Sequence, residues 1–159
     1  MTIRKIEVND NAAVAAIVRN VLMELGAPKI GTAYADPYLD HLFEVYQQPN
    51  SVYFVVVHEG EVIGGAGIGP LINEPANYCE LQKMYFMPAA RGLGIGQQLM
   101  QQCLTAAKQF GYEFCYLETM PYMEAAQKLY KKVGFKVIDA PLGNTGHTSC
   151  PVWMLKSLV

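Results

Sequence analysis

Apolar positions along the chain switch between a period of two and a period near 3.6, and the switches divide it into elements. Thr2 to Val8 reads as a first strand. Asn9, Asp10 and Asn11 offer capping side chains ahead of Val14, Ile17, Val18, Val21 and Leu25, a helical stripe that Gly26 and Pro28 close. A second helix is predicted with Asp36 as cap and Pro37 as first residue, its buried side made of Leu39, Leu42, Phe43 and Tyr46. Val52–His58 and Glu61–Gly69 read as strands joined in a hairpin at Glu59 and Gly60. Gly64, Gly65, Gly67 and Gly69 in the second of these point to a close approach, by a neighbouring segment or by a ligand.

Tyr78–Met87 is a further strand, ended by Pro88 and followed by a glycine-rich turn and a helix from about Leu93 to Phe110. Phe114–Thr119 is a nearly unbroken apolar run, as in a central parallel strand buried on both faces. Pro121 opens another helical stripe, Tyr122, Ala126, Leu129 and Val133, with Lys128, Lys131 and Lys132 near its C-terminal end and Gly134 beyond it. Phe135–Asp139 and Val152–Leu155 complete a mixed sheet. With no repeat or linker, residues 1–159 are expected to form one domain.

Composition narrows the function classes. Of 159 residues, 52% are hydrophobic, enough for a core without metals or disulfides, and disorder is excluded. A net charge of −2 with 16% charged residues leaves no basic surplus for a phosphate backbone, so no nucleic acid partner is expected. The longest strongly apolar stretch, Val52–Val57, falls far short of the ~20 residues of a membrane span. Cys79, Cys103, Cys115 and Cys150 follow no disulfide pattern and read as reduced core thiols of a cytoplasmic protein. His41, His58 and His147 fall in no metal-binding spacing, so no metal is expected.

Arg91, Gly92, Leu93, Gly94, Ile95 and Gly96 stand where a strand hands over to a helix, so unpaired N–H groups and the positive end of the dipole point into one turn. No acidic residue occurs between Leu81 and Tyr112, while Lys83, Arg91 and Lys108 add positive charge. Both features suit an anion. Gly96 is followed by Gln97 and Gln98, not by the Lys-Ser/Thr of a P-loop. The glycine spacing also misses the dinucleotide fingerprint, since Gln97 and Leu99 occupy its last position in the two possible frames.

With those excluded, the segment resembles the GNAT superfamily of acetyl-CoA-dependent N-acetyltransferases. Arg91, Gly94 and Gly96 match its Arg/Gln-x-x-Gly-x-Gly/Ala signature, and Leu129-Tyr130-Lys131-Lys132-Val133-Gly134-Phe135 looks like its Leu-Tyr-x-x-x-Gly-Phe. The likeness is strongest over Cys79–Lys136. It implies an α/β (α+β) fold: a mixed, mostly antiparallel sheet with helices on both sides and one parallel pair splayed at the cofactor cleft. It also implies that acetyl-CoA lies with its pyrophosphate on Arg91, Gly92, Leu93, Gly94, Ile95, Gly96 and Gln97, and its pantetheine arm along Met84, Tyr85 and Phe86 like an added strand. The family's frequent asparagine seven residues before the tyrosine is Met123 here.

The same resemblance assigns chemistry. Tyr130 becomes the general acid, because a phenol of pKa ~10 stays protonated near neutrality and can donate to a departing thiolate. Two carboxylates qualify as base, Glu80 on the strand before the glycine turn and Glu118 on the parallel strand beside it; either would need burial to raise its pKa, or a water relay. The oxyanion is expected at a backbone N–H near Met84–Phe86, and the cysteines are not expected to carry an acyl group. The acceptor would be a primary amine on a small molecule or protein, and a homodimer is compatible with the family. Glu24, Asp36, Asp40 and Glu44 could line an acidic groove for a lysine-rich protein acceptor but read first as charges on solvated helix faces, and His147 could reach the acceptor or act as a base but reads first as a surface-loop histidine. The competing reading is a module that binds or senses acyl-CoA without chemistry.

Overall fold

The computed structural model describes all 159 residues. Seven strands form one sheet in the order β1-β2-β3-β4-β5-β7-β6: β1 Thr2–Lys5, β2 Val52–His58, β3 Glu61–Pro70, β4 Tyr78–Phe86, β5 Phe114–Thr119, β6 Lys136–Ile138 and β7 Val152–Ser157. Four helices accompany it: α1 Asn11–Glu24, α2 Leu42–Val45, α3 Ile95–Gln109 and α4 Glu124–Lys132. Only β4 and β5 run parallel, joined by the crossover through α3.

Strand β2 shows how the pattern builds the layers. Its alternate residues Val52, Phe54 and Val56 pack with Leu99, Met100 and Cys103 of α3, while Tyr53 and Val55 pack with Val14, Val18 and Leu22 of α1. A side chain of this size contributes about 1.5–3 kcal/mol when removed from water, and burial on both faces explains the unbroken apolar run. All four cysteines are buried free thiols. No helix is long and apolar enough to cross a membrane.

The glycines of β3 answer to neighbouring aromatic rings. A Cβ on Gly67 would lie 2.7 Å from the Tyr53 ring and 2.9 Å from that of Tyr46, one on Gly65 2.6 Å from Tyr53, and one on Gly64 2.4 Å from Phe86. The bare strand therefore lets two tyrosines lie flat enough to reach β4. Tyr53 donates a hydrogen bond to the Lys83 carbonyl at 2.8 Å, and Tyr46 donates to Gln82 Oε1 at 2.5 Å.

Several element boundaries differ from the sequence expectation. No helix begins at Asp36 and Pro37; the segment makes short 3₁₀ turns at Ala33–Ala35 and Leu39–His41 before the single turn of α2. Proline disfavours helical backbone in the residue before it, and Asp36 sits at ψ 130°. The apolar residues nevertheless face inward, Leu39, Leu42 and Tyr46 being buried. α3 starts at Ile95, after Gly94 in left-handed conformation, and α4 at Glu124, leaving Tyr122 outside the stripe and 46% exposed.

Candidate active site

The β4–β5 ladder is short. Tyr78 pairs with Phe114, Cys79 with Cys115 and Glu80 with Tyr116, and there the pairing ends, although both strands continue. Beyond Glu80 the two strands part. The divergence is reinforced on the other side of β4, where Gly65 faces Tyr85 and Gly67 faces Gln82, so that Lys83 and Met84 form a bulge opposite Ala66. Lys83 carries φ +50°, a left-handed conformation that a lysine adopts only when its surroundings hold it there.

Two cavities open at this fork, and Met84, Tyr85, Met123 and Tyr130 line both. The first, of about 310 Å³, runs from Phe86 over the turn Arg91–Gly96 to α4. At its end, Gly94 caps α3 without a side-chain bond, and no N–H from Gly92 to Gln97 has an acceptor within the chain. Gly92 (φ +78°) and Gly94 (φ +77°) keep the turn in a conformation that suits glycine, and a Cβ on either would project into open space. These unpaired donors and this clearance fit a phosphate-bearing ligand. Arg91 acts less directly than its sequence position suggests. Its guanidinium donates to the Phe86 carbonyl at 2.9 and 3.2 Å and pairs with Glu24 at 2.7 Å, tying the end of β4 to the turn and to α1.

The second cavity, of about 480 Å³, lies between the Ala33–Val45 segment, the parted ends of β4 and β5, and the loop before β7. Glu80 and Glu118 both line it, as does Tyr130. Glu80 is only 7% exposed; burial pushes its carboxyl up to about 7, against the hydrogen bond that Gln82 Nε2 donates to Oε1 at 2.8 Å. Since Tyr46 orients Gln82, a chain of hydrogen bonds runs from the helix-side loop to the buried acid. Glu118 is held differently, accepting from Tyr116 Oη at 2.6 Å and from Thr145 Oγ1. Tyr130 is buried against Phe135, its hydroxyl makes no hydrogen bond within the chain, and burial raises its phenol pKa, so it remains a proton donor.

Two residues for which the sequence favoured a surface position over a place at the acceptor belong to this cavity. Asp36 is not a solvated helix charge, and His147 is not a surface histidine: their side chains are 19% and 17% exposed and bonded to each other, Nε2 to Oδ1 at 2.8 Å. Lys83 Nζ joins them, 2.7 Å from Asp36 Oδ2, and so stands on this side of the fork rather than at the anion turn. Burial works to raise the Asp36 pKa, but the His147 hydrogen bond and the Lys83 charge outweigh it and hold the carboxylate below its usual range. Burial likewise works to lower the His147 pKa, and Asp36 overrides it upward. The remaining acids of that set lie elsewhere: Glu24 on Arg91, Asp40 on Arg19 and Glu44 on Asn11.

The loop before β7 completes the wall. Asn144 N–H donates to the Ile72 carbonyl, Ser149 N–H to that of Gly31, and Thr145 Oγ1 accepts from the His147 N–H while its own hydroxyl binds Glu118. One ligating atom each from Glu80, Glu118 and His147 lies within 4.8 Å of the others, a grouping that no linear spacing announced. Of the three, the two carboxylates suit a cation such as an ammonium. Gln82, Tyr116, Thr145 and Lys83 are residues of this site that sequence reasoning did not place there; the alternation Glu80/Gln82 and Tyr116/Glu118 on facing strands is the signal that marks two of them.

Two cavities that meet at Tyr85 and Tyr130, one ending on an uncapped helix and the other on carboxylates, are the layout of an enzyme that joins two substrates through a gap in its sheet. Comparison with known proteins gives that class a family. Residues 20–135 match the model of the acetyltransferase (GNAT) family. The N-acetyltransferase YjgM of Escherichia coli (strain K12), itself uncharacterised, is 46% identical over 157 residues, 98% of this chain and 93% of its own. An acetyltransferase of the GNAT family from Staphylococcus aureus Mu50 superposes with a TM-score of 0.88 at 20% identity, covering 99% of each chain. The structure of yncA from Salmonella typhimurium with its cofactor acetyl-CoA superposes at 0.81 with 22% identity, over 100% of this chain and 94% of that one. The chain belongs to the GNAT family of acetyltransferases, and it is an enzyme of the acetyl-CoA-dependent N-acetyltransferase type. The seven-stranded mixed sheet with its one parallel pair is the fold that the family resemblance implied.

Proposed function

We propose that this enzyme transfers the acetyl group of acetyl-CoA directly to a primary amine held in the 480 Å³ cavity, with Glu80 as base and Tyr130 as acid. The observation that carries the reading is the place of Glu80: a buried carboxyl of pKa about 7, at the last paired residue before the parallel strands part. A base poised near neutrality takes a proton from an ammonium far better than an ordinary carboxylate does.

Acetyl-CoA supplies the acetyl group as a thioester. The chain's own residues do the rest. The unpaired N–H groups of Gly92–Gln97 hold the pyrophosphate, and the unpaired stretch of β4 at Met84, Tyr85 and Phe86 takes the pantetheine arm along its edge. Glu118, fixed by Tyr116 and Thr145, holds the incoming ammonium, and Glu80 takes its proton. The freed amine forms a bond to the acetyl carbon as the carbon–sulfur bond breaks; backbone N–H groups at the β4 bulge receive the charge developing on oxygen, and Tyr130 gives its proton to the departing sulfur. No thiol takes part: Cys79 and Cys115 lie in the core, and burial pushes the Cys150 thiol up to about 12.

Calorimetric titration with acetyl-CoA followed by a thiol-release assay over a panel of primary amines tests this. Micromolar one-site binding and amine-dependent release of CoA are expected. A folded protein that fails to bind acetyl-CoA at high micromolar concentration overturns the assignment of the turn.

A further inference from the structure

The acceptor cavity is bipolar, and its second pole has no part in the chemistry just described. Lys83 Nζ is a largely buried ammonium, 13% exposed, with three donors and a single partner, Asp36 at 2.7 Å. Asp36 is shared: it also binds His147 Nε2 at 2.8 Å, and the other ring nitrogen of His147 bonds nothing in the chain. One carboxylate thus serves two cationic groups, so the trio Lys83–Asp36–His147 is net positive whenever His147 is protonated and never net negative. Its spare donors face the cavity that all three residues line. At the other pole stand Glu80 and Glu118, each within 4.8 Å of a His147 ring nitrogen.

A His147 ring nitrogen lies within 4.8 Å of both carboxylates, and His147 and Lys83 share Asp36, so a dicarboxylate pole and a cationic pole stand side by side in one cavity, as an acceptor carrying both an amine and a carboxylate requires. Lys83 also holds its position by a left-handed backbone, φ +50°, with Tyr53 Oη on its carbonyl. Non-glycine residues held in this region cluster at functional sites. The rest of the wall includes Leu42, Val45 and Ile72, which suit an apolar substituent.

We propose that the acetyl acceptor is a free amino acid with an apolar side chain, its ammonium set between Glu80 and Glu118 and its carboxylate received by Lys83 and His147. This rests on the transferase reading above and adds the substrate class. A polyamine is disfavoured by the same layout, because its second ammonium would meet Lys83. A lysine side chain of a protein would leave the donors of Lys83 and His147 unpaired.

The test is acetyl-CoA-dependent thiol release with methionine, leucine and phenylalanine, each beside its amide and its decarboxylated amine, together with spermidine and a lysine-containing peptide. The free amino acids are expected to exceed their amides in kcat/KM by about tenfold or more, the loss of a charge-assisted hydrogen bond. Lys83→Gln, and Lys83→Gly, which suits the left-handed backbone, are both expected to narrow that ratio chiefly through KM for the amino acids. Equal or better turnover of amides, decarboxylated amines, spermidine or peptide, or a ratio unchanged in both variants, overturns the amino acid assignment and leaves the transferase reading standing. Acetyl-CoA binding with no turnover of any amine overturns both.

Discussion

Glu80 of β4 and Tyr116 of β5 are the last partners in the parallel ladder, and the hydroxyl of Tyr116 reaches on to Glu118. The point where the sheet opens thus carries both candidate bases on one face, one buried and protonatable near neutrality, the other ordered by two hydroxyl donors.

Glu80→Gln separates catalysis from stability. The rate of the wild-type enzyme is expected to rise with pH through about 7, and the variant to lose about 10²–10⁴ in kcat together with that dependence. Stability moves the other way. A folded-state pKa raised from 4.5 to about 7 favours folding while the carboxyl is protonated, and this advantage is lost as pH rises through about 7. The uncharged amide escapes that loss, on the order of 3 kcal/mol. Thermal unfolding at pH 8 is expected to show a Tm several degrees above wild type, with little difference at pH 4.5; a lower Tm at pH 8 would contradict the buried, unfavourable charge.

Tyr130→Phe keeps the edge contact with Phe135 and the burial, and removes only the hydroxyl. Turnover is expected to fall about 10²-fold or more, with acetyl-CoA affinity within a factor of about two of wild type. Retention of full kcat would remove the acid role from this residue.

Gly94→Ala places a methyl group in the space over the α3 N-terminus and forces alanine to φ +77°. The left-handed backbone costs about 1–2 kcal/mol of stability. Calorimetry is expected to show acetyl-CoA binding weakened about tenfold or more, and the apo protein to remain folded.

Gly67→Ala acts at a distance. Its Cβ would meet the rings of Tyr53 and Tyr46 below 3.0 Å, so it must move the tyrosine that orients Gln82 on Glu80. A loss of about 1–3 kcal/mol is expected from overpacking, together with a displaced midpoint in the pH–rate profile. An unchanged midpoint would show that Gln82 does not depend on Tyr46 for its position.

Much of the architecture was legible because it is local. The alternation on β2, the stripe Val14–Leu25, the crossover through α3 and the glycine turn at Arg91–Gly96 are patterns of period or of backbone permission, which neighbouring residues suffice to express. Tyr130, Glu80 and the turn could be marked in advance for that reason, through motifs of fixed spacing. Asp36 and His147 could not, since 111 positions separate them and the sequence around each looks like an ordinary polar loop. The glycines of β3 likewise announced a close approach but not the rings that make it. What the sequence by itself determined is the order of elements, the anion-ready turn and the family. The tertiary structure alone decided where the sheet opens, which carboxyl is buried deeply enough to titrate near 7, and that Lys83, Asp36 and His147 share one wall, because burial and charge pairing depend on segments that meet only when the chain has folded.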